Sequence, residues 1–396
     1  MSVSPSSAEL HPRQWGSYAT LADVLPAIDR ALEGHRSPTV PIPPDKDVVL
    51  LLIDGLGADL LDAHAAFAPT LASMRTAPIR AGFPATTATS ITSLMAGTHC
   101  GAHGIIGYSF RTDRTATEGP DPHTLNALRW TLDRSDGASA LETYVPEDIQ
   151  PIGGTLAAMD SRGVEIAYVM PAAYRGSGFS RAAFQAKGLY IGATTPREVV
   201  NGVTEVLAPR TRRHRFVYAY WPDLDLTGHL AGPGSEPWLQ TLQLADQLVA
   251  DLITDLPQHA ALVVTGDHGM IQADMRFDID TIDGMLTGVQ AVAGEMRARE
   301  VYTRPGARDD VLQAWRAILD DDAHVAPREQ VLDEQWFGPE VTDVVAERIG
   351  DVVAVARGAA ILTRTLSEPQ LETEMLGHHG AWTAAEQLVP VLVEQG

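Results

Sequence analysis

Cysteine is almost missing from this chain of 396 residues: Cys100 is the single one. That excludes an intramolecular disulfide framework and a thiolate metal cluster, and leaves a buried, inert thiol as the expected state of Cys100. No apolar run approaches the roughly 20 residues that a membrane-spanning helix requires, so no membrane partner is expected. The stretch Met1 to Gly16 lacks the basic-then-apolar order of an export signal, which makes the cytoplasm the expected compartment. Lysine is scarce as well; Lys46 and Lys187 are the only two, and the formal net charge is -22. A chain this acidic repels nucleic-acid backbones, so no nucleic-acid polymer is expected as a partner. It repels small anionic substrates equally, unless local cations reverse the field. If the substrate is a phosphate, that points to metal ions. Internal repeats and low-complexity tracts are also absent.

What is present describes a layered α/β protein. Hydrophobic residues make up 45% and charged residues 20% of the sequence, the balance of a globular chain. The length exceeds the usual single domain, which suggests one large domain with a smaller insertion. Residues 1–45 read as a leader with a helix around Leu21–Leu32. Val48–Ile53 is a continuous apolar run, closed by Asp54-Gly55; such a run is the mark of a strand buried on both faces in a parallel sheet. Val164–Met170, Phe216–Trp221 and Ala261–Thr265 are of the same kind. Between the last two, Trp238, Leu239, Leu242, Ala245, Val249, Leu252 and Ile253 recur at helical spacing after Ser235, a plausible N-cap. Strands alternating with helices predict an α/β/α sandwich around a mostly parallel sheet. Residues 285–345 read as a small inserted α+β cap, with a short strand at Glu300–Thr303, a helix at Asp309–Leu319 and few candidate catalytic groups. Val352–Leu362 then resumes core-like strand character, so 46–284 and 346–396 form the expected catalytic core.

Metal-ligand residues cluster just past the ends of these strands, where open α/β sheets hold their ligands. Asp54 ends the first run. Asp225 and His229 follow Trp221, Asp267 and His268 follow Thr265, and His379 lies in a late Gly-flanked pair. Asp oxygens mixed with His nitrogens suit zinc or a similar transition metal. Two such ions could clamp the attacking and leaving oxygens of a phosphoryl displacement. A fifth element is Phe83-Pro84-Ala85-Thr86-Thr87, which leads into a helix reaching Gly97. A hydroxyl at that helix N-terminus sits where free N–H groups and the dipole favour a phosphoryl group. The alternative is that Thr86 or Thr87 only caps the helix.

Together, VVLLLIDGLG, FPATTATSITSLMAGTHCGAHGI, DLTGHLAGP, VVTGDHGM and GHHG resemble the alkaline phosphatase superfamily, and within it the type I phosphodiesterase/nucleotide pyrophosphatase family. The pieces stand in the family's order across residues 47–380. The resemblance implies an alkaline phosphatase-like fold, two Zn2+ ions (Mn2+ or Fe as alternatives) and hydrolysis of phosphodiester or pyrophosphate bonds in a small phosphorylated substrate. It implies Thr87 as the nucleophile, preferred over Thr86 by its spacing to Gly97. It implies Asp225, His229 and His379 around one metal and Asp54, Thr87, Asp267 and His268 around the other. Asp223 and His378 are the register alternatives to Asp225 and His379. His99 and His103 are expected to be structural.

Two departures weaken the expectation of a nucleotide substrate. Ala88 stands where nucleotide-cleaving members carry an aromatic residue, and Tyr108 stands where many carry an Asn near the attacked phosphate. Tyr108 is a candidate hydrogen-bond donor to the substrate. Tyr174, with Phe179 in the segment Pro171–Phe179, is a candidate pocket residue. The alternative functions are a phosphomonoesterase or phosphonate hydrolase of the same superfamily, or a metal-retaining binding protein without turnover.

Overall fold

The computed structural model describes residues 8–10, 18–37, 40–74, 77–112, 124–132, 137–208 and 213–395. Most of the Met1–Gly16 stretch lies outside them. Five parallel strands form the centre: β1 (Asp47–Ile53), β2 (Glu165–Met170), β3 (Leu189–Gly192), β4 (Arg215–Trp221) and β5 (Ala260–Thr265). β1 lies between β4 and β5, and β2 lies between β4 and β3. The C-terminal strand Val391–Gln395 runs antiparallel along β5 and makes one edge of this six-stranded sheet.

The apolar runs explain the layering. Every residue of β1 is buried. Val48, Leu50 and Leu52 point into one core and Val49, Leu51 and Ile53 into a second one, on the other face. At roughly 1.5–3 kcal/mol per fully buried aliphatic side chain, such a strand anchors the domain. On the first face pack α1 (Val24–Leu32) and α2 (Thr87–Ala96). On the second pack α3 (Pro196–Leu207) and, after α4 (Asp223–Ala231), the long α5 (Glu236–Asp255). Ser235 caps α5 as expected, its hydroxyl accepting from the Trp238 N–H at 3.4 Å. Among the described residues no helix is long and apolar enough to cross a membrane. Cys100 is a free, buried thiol.

A four-stranded antiparallel sheet forms a second unit, in the order Val289–Glu295, Ala298–Thr303, Val352–Ala356, Ala323–Pro327. It has its own core, in which Trp315 and Leu319 of the helix Arg308–Leu319 meet Val301 and Val352. Val352–Leu362 reads in the sequence as a core-like strand of the catalytic core; the structure divides it between the antiparallel sheet and a two-stranded one. Val352–Ala356 pairs with Ala298–Val301 and with Ala323–Pro327, and Ala360–Thr363 pairs with Met275–Asp278. A strand interior to any sheet covered on both faces reads as the same apolar run, so the run does not say which sheet it joins. The antiparallel sheet therefore extends to Ala356, past the expected cap boundary at 345.

Candidate active site

The fold brings the expected residues to one end of the parallel sheet. Asp54 follows β1, its N–H donating to the Trp221 carbonyl of β4 at 3.0 Å. Asp225 and His229 stand one turn apart on α4, 3.2 Å between Oδ2 and Nε2. Asp267 and His268 follow β5, and Thr87 opens α2 at 8% exposure. Gly55 makes the approach possible: its φ is +75°, and a Cβ there would lie 2.9 Å from the Asp225 Cα. Only glycine takes that conformation and that contact without strain. The Gly55 N–H also holds Asp267 through Oδ1 at 3.1 Å.

Two ligand groups result, each with its donor atoms within 4.8 Å of one another: Asp54, Asp267 and His268, and Asp225, His268 and His379. The second group differs from the expected set, because His268 stands between the two. His229 is nonetheless adjacent, its Nε2 3.3 Å from that of His379. The Thr87 hydroxyl lies 3.3 Å from His268 Nε2. The alternatives lie apart from these groups. His378 gives its Nε2 to the Met375 carbonyl at 3.0 Å, and Asp223 is outside both groups. His103 is fully buried and bonded to Ser93 at 2.9 Å, a packing role.

The orientation of the imidazoles is informative. His229, His268 and His379 each place Nδ1 against a backbone carbonyl, of Gly377, Gly269 and Ala85, at 2.8, 3.0 and 2.8 Å. A carbonyl only accepts, so Nδ1 carries the proton and Nε2 presents a lone pair to the centre. That is how ligating histidines are held. Three carboxylate oxygens at the centre, Asp54 Oδ1, Asp225 Oδ1 and Asp267 Oδ2, have no hydrogen-bond donor although buried. Buried acceptors without donors are costly, and a divalent cation would satisfy all of them. The donor set therefore fits divalent metal binding.

The electrostatics agree. Burial, then the charges of Asp267 and Asp225, lift the Asp54 carboxyl well above its usual range, against a hydrogen bond from the Tyr220 hydroxyl. Burial also raises Asp267, with His268 opposing and Asp225 adding to the rise. Burial pushes Asp225 the same way, but the neighbouring His229 outweighs it and holds that carboxyl low. In return, and against its own burial, His229 is raised to about 8 by Asp225. Burial and His268 depress His379, which stays neutral. The crowding of buried carboxyls that lifts Asp54 and Asp267 marks a site that favours added positive charge.

Two cavities open on this centre. One, of about 540 Å³, has Thr87 and Asp54 at its end and walls including Met170, Tyr174, Phe179 and Tyr218. The other, of about 240 Å³, runs past Thr86, Tyr108, Glu295 and His379. Tyr174 is 38% exposed at the mouth of the first, its ring 6.0 Å from that of Tyr220. Tyr108 lines the second; burial pushes its phenol to about 12, so it keeps its proton at neutral pH.

A model described as type I phosphodiesterase / nucleotide pyrophosphatase matches residues 48–382. The chain belongs to this family. Among curated relatives, bis(5'-adenosyl)-triphosphatase of Mus musculus is 28% identical over 130 residues, covering 29% of this chain and 28% of that protein. The Pongo abelii protein of the same name is 28% identical over 130 residues, covering 29% of each. The matched segment thus spans less than a third of these relatives. Among solved structures, human ectonucleotide pyrophosphatase/phosphodiesterase 5 superposes with TM-score 0.66 at 17% identity, covering 88% of both chains. Phosphonoacetate hydrolase from Sinorhizobium meliloti, in complex with phosphonoacetate, gives TM-score 0.63 at 18% identity, covering 88% of this chain and 90% of that one. At such identities the likeness is one of fold, and it bears out the alkaline phosphatase-like α/β architecture with a mostly parallel central sheet.

Several residues at this family member's site escape sequence reasoning. Tyr218 and Tyr220 alternate along β4 and both face the larger cavity; the signal was there, two phenols two apart in an apolar strand. Glu295 and Arg299 line the smaller cavity from the inserted unit, which was expected to contribute little. Arg129 lines both cavities, and nothing in its local sequence marks it.

Proposed function

We propose that the protein is a metal-dependent hydrolase of phosphate esters, acting on phosphodiester or pyrophosphate bonds of a small phosphorylated substrate. The observation that carries this is the Thr87 hydroxyl at a helix N-terminus, beside three buried carboxylate oxygens that lack donors and three imidazoles whose Nε2 face inward. Two divalent ions, zinc by the chemistry of the donors, would supply Lewis acidity: a lowered pKa for the bound hydroxyl and compensation of charge on the leaving oxygen. Asp54, Asp267 and His268 would hold one and Asp225, His229 and His379 the other, with His268 lying between them. Thr87 Oγ1 attacks the phosphorus in line, forming an O–P bond as the leaving-group P–O bond breaks. Water then cleaves the phosphothreonine and releases the product. The free N–H groups and dipole at the start of α2 favour the negative phosphoryl group throughout. Tyr108, protonated at neutral pH, donates to a phosphoryl oxygen. Tyr174 flanks the substituent in the larger cavity.

Family membership supports phosphoester hydrolysis. Murine ectonucleotide pyrophosphatase/phosphodiesterase 5, in an inactive threonine-to-alanine form in complex with AMP, is a fold neighbour with TM-score 0.64. The phosphonate hydrolase likeness supports a second reading, cleavage of a P–C bond. The test is initial rates of the zinc-loaded protein on a nitrophenyl phosphodiester, the matching monoester and a phosphonate, with Thr87→Ala as the reference. Diester cleavage lost in Thr87→Ala with metal content retained is expected. Wild-type rates in that variant would refute the covalent route, and phosphonate cleavage alone would replace the first reading by the second.

A further inference from the structure

The two cavities meet beside Thr87 and Asp225, and Arg129 lines both. The other arginine there, Arg299, is spent: at 1% exposure it is bonded to Glu368 at 2.6 and 2.9 Å and to the Leu362 carbonyl at 2.6 and 2.9 Å. Arg129 differs in two ways. Its side chain is 56% exposed, and it is paired with Glu372, which also lines the smaller cavity. Its backbone is pinned all the same. Its N–H donates to Asn126 Oδ1 at 2.9 Å. The next residue, Trp130, is buried with φ 55° and bonds the Tyr144 carbonyl through its indole N–H at 2.8 Å. A fixed turn thus presents a solvent-accessible guanidinium at the junction.

We propose that Arg129 is a specificity residue that binds a second anionic group of the substrate, beyond the phosphoryl group under attack, by exchanging Glu372 for it. This rests on the hydrolase reading of the site. Asp225, Glu295, Glu368 and Glu372 line the smaller cavity; burial raises Glu295 to about 8, which leaves it protonated at neutral pH, and Arg299 pairs Glu368, so Asp225 and Glu372 are the charges an entering anion meets. An anion entering there is repelled unless a cation receives it. A guanidinium offers a planar fork of donors that matches carboxylate and phosphate alike. The Glu372 carboxylate engages one prong of that fork, accepting through Oε1 from Nη2, as a stand-in for the incoming anion. An exposed ion pair is weak, so the exchange costs little, while Arg129 remains paired before and after. Substrates whose far arm is neutral gain nothing from the exchange, and those carrying a second phosphate or a carboxylate do.

The test uses the full chain with divalent ions present and Thr87→Ala to prevent turnover. Calorimetry gives the affinities of inorganic phosphate and pyrophosphate with and without Arg129→Gln and Glu372→Gln. The pyrophosphate-to-phosphate affinity ratio is expected to fall about ten- to a hundredfold in Arg129→Gln, the range for a charge-assisted bond, and to rise in Glu372→Gln. A purely structural Arg129 would weaken both ligands together and keep the ratio. An unchanged ratio in both variants overturns the proposal, and Glu372→Gln decides alone if Arg129→Gln does not fold. Turnover by the Thr87 protein on diesters with neutral and anionic arms separates the two levels. Failure to cleave either removes the hydrolase reading. Cleavage of both with the same ratio in wild type and Arg129→Gln removes only the role of Arg129.

Discussion

Removing the divalent ions should destabilise the fold by an amount that follows from the site. Asp54, Asp225 and Asp267 converge with buried, donorless oxygens, and without cations each costs folding energy. Bound to the native state alone at about a hundred times its dissociation constant, each ion adds about 2.7 kcal/mol, so two add about 5 kcal/mol. With an unfolding entropy of about 2.1 cal/mol/K per residue, the 396 residues give about 0.8 kcal/mol/K. Chelation should then lower Tm by about 6 °C. The assay is thermal unfolding with elemental analysis of the same samples. Asp267→Asn sharpens it. Oδ1, which accepts from the Gly55 and His268 N–H groups at 3.1 Å, is retained, and the lone Oδ2 becomes a donor. The ion-free variant should therefore melt above the ion-free wild type, while the ion-loaded variant melts below the loaded wild type. Full loss of ions with Tm unchanged within about 1 °C, or the same shift for Asp267→Asn in both forms, would refute the charge argument.

Three more outcomes follow from the same geometry. Tyr220→Phe removes the donor that holds Asp54; ion affinity should fall about 10–100-fold, as for other groups that orient a ligand, read by competition with a chelator. Gly55→Ala forces a Cβ to 2.9 Å from the Asp225 Cα at φ +75°; at about 1–3 kcal/mol for the strained backbone alone, it should lower both Tm and ion content, and normal values of both would contradict the close approach. The His229 pKa is raised to about 8, because Asp225 outweighs burial. In the ion-free protein this contributes stability that is complete below pH 6.5 and lost as pH rises through about 8; melting curves across that range should show the loss without ions and not with them.

The parallel sheet was legible because β1, β2, β4 and β5 are buried on both faces and therefore continuous in apolar residues. β3 was not, since Leu189 is 57% exposed and its strand lies at the edge of the sheet. Nor was the destination of Val352–Ala356. Burial on both faces is a property a residue run records; the identity of its hydrogen-bonding neighbour, here Ala298–Val301 some fifty positions away, is not. Elements were therefore read more reliably than the pairing between them.

The same division runs through the site. Asp54, Asp267 and His268 were legible because strand ends place them, and Asp225 with His229 because one helical turn joins them. The residues that complete the chemistry enter by tertiary contact alone. Tyr220 reaches Asp54 across 166 positions of chain, Tyr108 meets Glu295 across 187, and Arg129 meets Glu372 across 243. The first group, on the reading proposed above, would bind and attack a phosphoryl group and would say no more of the substrate. The second group lines the cavities and, on the same reading, would select what else the substrate carries. Hence the reaction could be argued from strand-end motifs, whereas the substrate has to be argued from the walls, above all from Arg129, the cation that faces both cavities.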